Sequence, residues 1–224
     1  MTAVVTGIAL DLDGTLVDSA GDITTAVNAL LAEHGLPGQE VGYVERFIGE
    51  GTRQLVGGVY AGMGVDVPDD RLDEDVETYL AHYRRSPVAR SRVYPGVLET
   101  LGRLRAGGVR LGICTNKAQE IAELVVDRLG LGELADVVVG GDALPARKPD
   151  PLHLLTVLDR LSTSPAEGLM VGDSAIDVAC AERAGVRCVV VGWAPPDVGG
   201  ATATRISDFA ELLGIAGAED AHQA

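Results

Sequence analysis

Lysine is almost missing from this chain: of 18 basic side chains only two, Lys117 and Lys148, are lysines, the rest being arginine. Against them stand 33 acidic side chains and a formal net charge of −15. Such a surface repels phosphate backbones and anionic lipid headgroups, and no basic run offsets it, so nucleic acid and membrane are excluded as partners. Aromatic residues make up only 4% of the chain, too few for an aromatic-interleaved binding face. Long apolar runs are missing as well. No stretch reaches the roughly 18 apolar residues of a membrane span, and the N-terminus has no basic region followed by an apolar one. The expectation is a soluble, cytoplasmic protein. The cysteines Cys114, Cys180 and Cys188 are odd in number, scattered and without metal-ligand spacing, so they read as reduced structural thiols. His34, His82, His153 and His222 all lie outside any motif, which argues against a histidine mechanism.

What is present is a 224-residue chain, 46% hydrophobic, long enough for one good core and a smaller second one. Short apolar runs at Val4–Leu10, Val109–Cys114, Asp136–Val139, Leu169–Val171 and Arg187–Val191 read as buried strands. Amphipathic patterns at Val97–Ala106, Ala118–Leu129, Pro151–Leu161, Ala175–Ala184 and Ser207–Leu213 read as helices between and after them. This alternation predicts an α/β fold, a doubly wound parallel sheet with a Rossmann-like core. Between Asp18 and Val88 the rhythm changes to helical periodicity alone, carried by Ile23, Val27, Leu30 and Leu31, then Leu55, Val56 and Val59, then Val76, Leu80 and Tyr83. Ser19 and Asp22 suggest a capping box at its entrance. The expected organisation is a core of residues 1–17 and 89–216, a small inserted helical domain of residues 18–88, and a flexible tail, 217–224.

Once the strands are placed, the polar residues gather at one edge. Asp11 and Asp13 follow the first strand; Thr115, Asn116 and Lys117 follow the second; Lys148 lies on the loop after the third; Gly172, Asp173 and Asp177 follow the fourth. The carboxyl edge of an open parallel sheet, at a topological switch point, is where ligands bind. Any one of these carboxylates alone could be a helix cap, as Asp173 could be for the helix after it. Four loops converging with several carboxylates, a hydroxyl and a lysine point instead to a catalytic site for an anion.

The stretches "DLDGTLVDS", "CTN", "RKPDP" and "GDSAIDV", in this order, resemble the four signature motifs of the haloacid dehalogenase superfamily, specifically its phosphatase branch. The early helical insertion resembles that family's small cap domain. Within the branch, "FIGEGTRQLV" and "VVVGGDALPARKPDP" are similar to bacterial phosphoglycolate phosphatases. The resemblance implies an Mg²⁺-dependent phosphatase acting on a small anionic phosphate ester such as 2-phosphoglycolate, through an aspartyl-phosphate, as a monomer or homodimer.

A phosphate monoester dianion resists attack, so its hydrolysis needs a nucleophile, a cation and an acid for the leaving alkoxide. Asp11 is expected as nucleophile and Asp13, two residues on along an extended strand, as acid and then base. The resemblance implies Asp11, Asp173 and the Asp13 carbonyl as Mg²⁺ ligands, with Asp177 supporting them. Gly14 would let backbone N–H groups approach the phosphoryl oxygens, Thr115 and Asn116 would add donors, and Lys148 would pair with Asp11 and the phosphoryl group. In the cap, the "GEGTR" loop is the expected substrate loop, with Arg53 pairing a substrate carboxylate. Other readings remain: a sugar-phosphate phosphatase, a phosphomutase, a pyrophosphatase, or a catalytically silent phosphate or metal sensor. Lys117 is as readily a surface lysine as a site residue, and nothing assigns a role to Trp193.

Overall fold

Gly7, Ile8, Ala9 and Leu10 are all buried, and a strand covered on both faces belongs in the middle of a sheet. In the computed structural model, which describes residues 4–200 and 202–218, that is where they are. Strand β1 (Gly7–Leu10) is followed by β2 (Val17–Asp18), four helices α1 (Ala20–Glu33), α2 (Val41–Val44), α3 (Thr52–Gly62) and α4 (Asp69–Arg85), and then β3 (Arg92–Val93). The chain continues through α5 (Val97–Ala106), β4 (Arg110–Cys114), α6 (Gln119–Arg128), β5 (Val137–Val139) and α7 (Pro151–Arg160). It ends with β6 (Gly168–Gly172), α8 (Ala175–Ala184), β7 (Arg187–Val190), β8 (Ala203–Arg205) and α9 (Leu212–Ala216).

Six strands form a parallel sheet in the order β5-β4-β1-β6-β7-β8. The chain steps outward from β1 to β5, then returns to the other side of β1 and steps outward again. The switch point therefore lies between β1 and β6, and the loops after them open a crevice there. The sheet's α/β character is as the sequence predicts. Two short pieces were not foreseen: β8 at the edge, and the antiparallel pair β2–β3, in which Val17 faces Val93 and Asp18 faces Arg92. The pattern at Ser207–Leu213 also resolves differently, into a 3₁₀ turn over Phe209–Glu211 and α9, with Asp208 and Glu211 forming a capping box. Of the expected tail, Gly217 closes α9 in a left-handed conformation, whereas residues 219–224 lie outside the described residues.

The insertion is helical, as expected. Helix α1 packs along α4, and α4 against α3. Its core joins Ile23, Val27, Leu30 and Leu31 to Val56, Val59 and Leu80. The capping box proposed from Ser19 and Asp22 does not form. The Ser19 hydroxyl donates to Asp13 instead, and the buried Asp22 carboxylate accepts from the Arg90 and Ser91 N–H groups and the Ser91 hydroxyl. Asp22, in the first turn of α1, thus ties the start of that helix to the returning linker, beside the β2–β3 pair. Among the described residues, no helix is long and apolar enough to cross a membrane.

Candidate active site

Strand β1 stops at Leu10, so strand alternation does not carry Asp13 to the site. A tight turn does. Asp11 N–H donates to Val171 O on β6 at 2.9 Å, and the chain then folds back, with Leu16 and Val17 both donating to Leu12 O and Gly14 to Val17 O. Gly14 has φ +84°, and a Cβ there would run into the Asp173 carboxylate, so the turn requires glycine. The result is that Asp11 and Asp13 line the same two cavities.

Lys148 is the hub of the buried charges. Its ammonium sits 2.6 Å from Asp11 Oδ1 and 2.7 Å from Asp177 Oδ1, and it is 3% exposed. Burial opposes its charge, but Asp11 and Asp177 outweigh this and hold Lys148 well above its ordinary pKa. Burial, reinforced by the charges of Asp177 and Asp173, pushes Asp11 upward, with Lys148 pulling the other way. Asp173 is pushed up to about 6, first by burial and then by Asp177, while the Thr15 hydroxyl, 2.8 Å from its Oδ1, pulls it down. The second oxygen of Asp177 accepts from the Ser174 hydroxyl and N–H, closing the capping box of α8. Oxygens of Asp11, Asp173 and Asp177 lie within 4.8 Å of one another. Three hard oxygen donors crowded at like charge suit a divalent cation such as Mg²⁺.

On the other side of Asp11, Asp13 is gripped by Lys117, whose ammonium is 2.9 Å from both carboxylate oxygens, and by the Ser19 hydroxyl at 2.5 Å. Lys117 is buried, with its ammonium 4.6 Å from the centre of the Tyr83 ring. It is therefore a site residue rather than a solvated one. The signal available in the sequence was the scarcity of lysine itself.

Thr115 and Asn116 follow β4 beside these groups, both buried. The Asn116 NH2 is already engaged: it donates to Lys148 O at 2.9 Å and to Gly49 O of the cap at 2.8 Å, bridging core and cap. Gly49, Gly51 and Thr52 of the "GEGTR" loop do reach the site, closing a compartment of about 40 Å³ with Asp11, Asp13, Tyr79 and Lys117. Arg53 does not. Its guanidinium points along the outside of the cap, held by Asp69 at 2.6 Å and Asp73 at 2.8 Å, because α4 begins with an acidic turn beside it. A wider cavity of about 360 Å³ opens on the other side, between Asp18, Glu45 and Ile48 of the cap side and Tyr94, Lys148, Asp173 and Trp193 of the core.

The remaining candidates sit elsewhere. His153 is fully buried, 3.0 Å from Gly140 O, and burial lowers its pKa. His34 and His82 pair with Asp75 and Glu33 within the cap, and His222 lies outside the described residues. All three cysteines are buried free thiols, and burial raises each, Cys180 to about 11 and Cys188 to about 12.

Residues 8–191 match the family model described as haloacid dehalogenase-like hydrolase. The chain is 44% identical over 190 residues to a phosphoglycolate phosphatase of Rhodospirillum rubrum, covering 83% of this chain and 79% of that protein. It is 39% identical over 188 residues to phosphoglycolate phosphatase 1 of Pseudomonas aeruginosa, covering 82% and 68%. Among solved structures it resembles a predicted phosphoglycolate phosphatase from Haemophilus somnus, with a TM-score of 0.85 at 28% identity over 94% of this chain and 97% of that one.

Proposed function

The chain belongs to the haloacid dehalogenase-like hydrolase family and is a phosphoric monoester hydrolase, and we propose that it cleaves 2-phosphoglycolate to glycolate through an aspartyl-phosphate on Asp11. The observation that carries the mechanism is the Lys148 ammonium held against Asp11 at the switch point of the sheet, with Asp13 on the far side. An Asp11 oxygen attacks phosphorus, a bond forms between them, and the ester P–O bond breaks. Asp13 gives its proton to the leaving alkoxide. In the second step Asp13 takes a proton from water, the water oxygen bonds to phosphorus, and Asp11 departs as a free carboxylate. Lys148 stabilises the phosphoryl oxygens and orients Asp11, while Asp177 holds Lys148.

Asp11, Asp173 and the Asp13 carbonyl would hold Mg²⁺, with Asp177, whose oxygens are committed to Lys148 and Ser174, steadying the arrangement. When bound, the cation supplies positive charge against the ester dianion and the crowded carboxylates. Residues 18–88 act as the cap that closes over the ester and excludes water.

The choice of 2-phosphoglycolate is supported by the names of the relatives and by the small compartment under the Gly49–Thr52 loop. With Arg53 engaged on the cap surface, the cation lining that compartment is Lys117, which a substrate carboxylate would share with Asp13. A second reading, a sugar-phosphate phosphatase, is favoured by the wider cavity beside Tyr94 and Trp193. Phosphate release from a panel of esters, with and without Mg²⁺, tests both. The proposal expects the highest kcat/KM for 2-phosphoglycolate, and a preference for a hexose or pentose phosphate would replace it with the second reading.

A further inference from the structure

The chain's single tryptophan stands on the loop after β7, facing the turn after β1. The Trp193 indole N–H donates to Gly14 O at 2.8 Å, and its ring stacks on Tyr94 with centroids 4.5 Å apart and planes 22° apart. The loop that carries it is gathered by Arg205 of β8. That guanidinium donates to five of its carbonyls, those of Val191, Gly192, Ala194, Pro195 and Val198, at distances from 2.6 to 3.5 Å. One side chain satisfying five carbonyls of the loop fixes where the loop, and so the indole, can stand.

What the indole holds matters more than what it covers. In a trans peptide the C=O and the following N–H move as one plane, so anchoring Gly14 O sets the whole Gly14–Thr15 peptide. Gly14, at φ +84°, has the freedom of a residue without a side chain and little of its own to keep it in place. Directly after it, the fully buried Thr15 gives its hydroxyl to Asp173 Oδ1. A continuous line of contacts thus runs from Arg205 through the loop, Trp193, Gly14 and Thr15 to Asp173.

We propose that Trp193 is a positioning residue for the reaction: its indole N–H orients the Gly14–Thr15 peptide and through it the Asp173 carboxylate, with Arg205 holding the loop in register. This rests on the reading above that Asp173 serves the phosphoryl site.

Because Trp193 is the only tryptophan, its emission reports on this position alone. Adding Mg²⁺, then Mg²⁺ with inorganic phosphate, to the wild-type protein should shift or quench that emission saturably. Thr15→Val keeps the shape but cuts the tie to Asp173, and should raise the half-saturating Mg²⁺ concentration in this titration about fivefold. Trp193→Phe keeps a stacking ring and loses the donor. It should lower kcat about tenfold, as expected for one lost hydrogen bond in the site, and raise the Mg²⁺ requirement, with KM within about twofold and thermal unfolding little changed. Arg205→Met should move both quantities in the same direction. An emission indifferent to Mg²⁺ and phosphate, a Trp193→Phe enzyme with unchanged kcat and Mg²⁺ requirement, or a loss matched by an equal loss of folded protein would overturn the proposal. The emission titration needs no ester, so a protein that hydrolyses none of the panel would sink the functional reading and leave this test to be decided separately.

Discussion

Asp173 is a carboxylate under compression: largely desolvated, close to Asp177, and relieved by the Thr15 hydroxyl and, less, by the charge of Lys148. Its pKa stands at about 6 against an ordinary 3.8. A carboxyl raised in the folded state favours folding fully below the unfolded value, and this contribution is lost as pH rises through the folded one. In cation-free protein, Asp173→Asn should therefore be more stable than wild type at pH 7.5, by up to about 3 kcal/mol. The advantage should vanish near pH 4, as read by urea unfolding at the two pH values. Wild type equal to the variant at both would remove the strain from the account. Arg53 makes the opposite case, since its exposed guanidinium has two acidic partners and no line to the site. Arg53→Ala should leave kcat/KM within about twofold for 2-phosphoglycolate and for a neutral aryl phosphate alike, because exposed ion pairs contribute little. A selective loss on 2-phosphoglycolate would return Arg53 to the substrate. That Asp11, Asp13, Lys148 and Asp173 come together was legible because each lies on a loop that follows a sheet strand, and a pattern of apolar runs locates the strands. The orientation of Arg53 is not legible in the sequence because its partners, Asp69 and Asp73, arrive from another helix. The contacts of Asn116 and Trp193 were hidden because both donate to backbone carbonyls distant in the chain, which no side-chain pattern records.

At the scale of elements, the helices α5 and α8 lie where the periodicity puts them, since long amphipathic segments carry their own signal. The strands that were missed are β2, β3 and β8, each of two or three residues. Runs that short have no periodicity to read; tertiary context makes them. The same context overrode the apparent capping box at α1, where Asp22 found better partners in the returning linker. Asp22→Ala should accordingly leave the buried donors of Ser91, and the Arg90 N–H beside them, without a carboxylate. The expected cost is about 3 kcal/mol in urea unfolding, on the usual penalty for orphaned buried donors. Asp22→Ala as stable as wild type would mean that the linkers are held by the β2–β3 pair alone.

For the whole molecule, a net charge of −15 sets the problem that the site has to solve, since it must concentrate an anion inside an anionic protein. Among the described residues Lys148 and Lys117 are the cations paired with Asp11 and Asp13, each already neutralised by a carboxylate, and the proposed Mg²⁺ would make the site attractive to a phosphate dianion. Exhaustive chelation should abolish phosphate release and Mg²⁺ restore it. Ca²⁺, larger and more permissive in coordination, should compete and inhibit. Undiminished turnover after chelation would contradict the metal reading.

The central claim, that Asp11 is phosphorylated and released in each cycle, is met most directly by acid-quenching the enzyme during steady turnover of 2-phosphoglycolate and weighing its peptides. The account predicts that the peptide containing Asp11 carries one extra phosphoryl group, which disappears when substrate is exhausted, and that Asp11→Asn shows neither the adduct nor turnover. Sustained turnover by Asp11→Asn, or a phosphoryl group found on another residue, would contradict it.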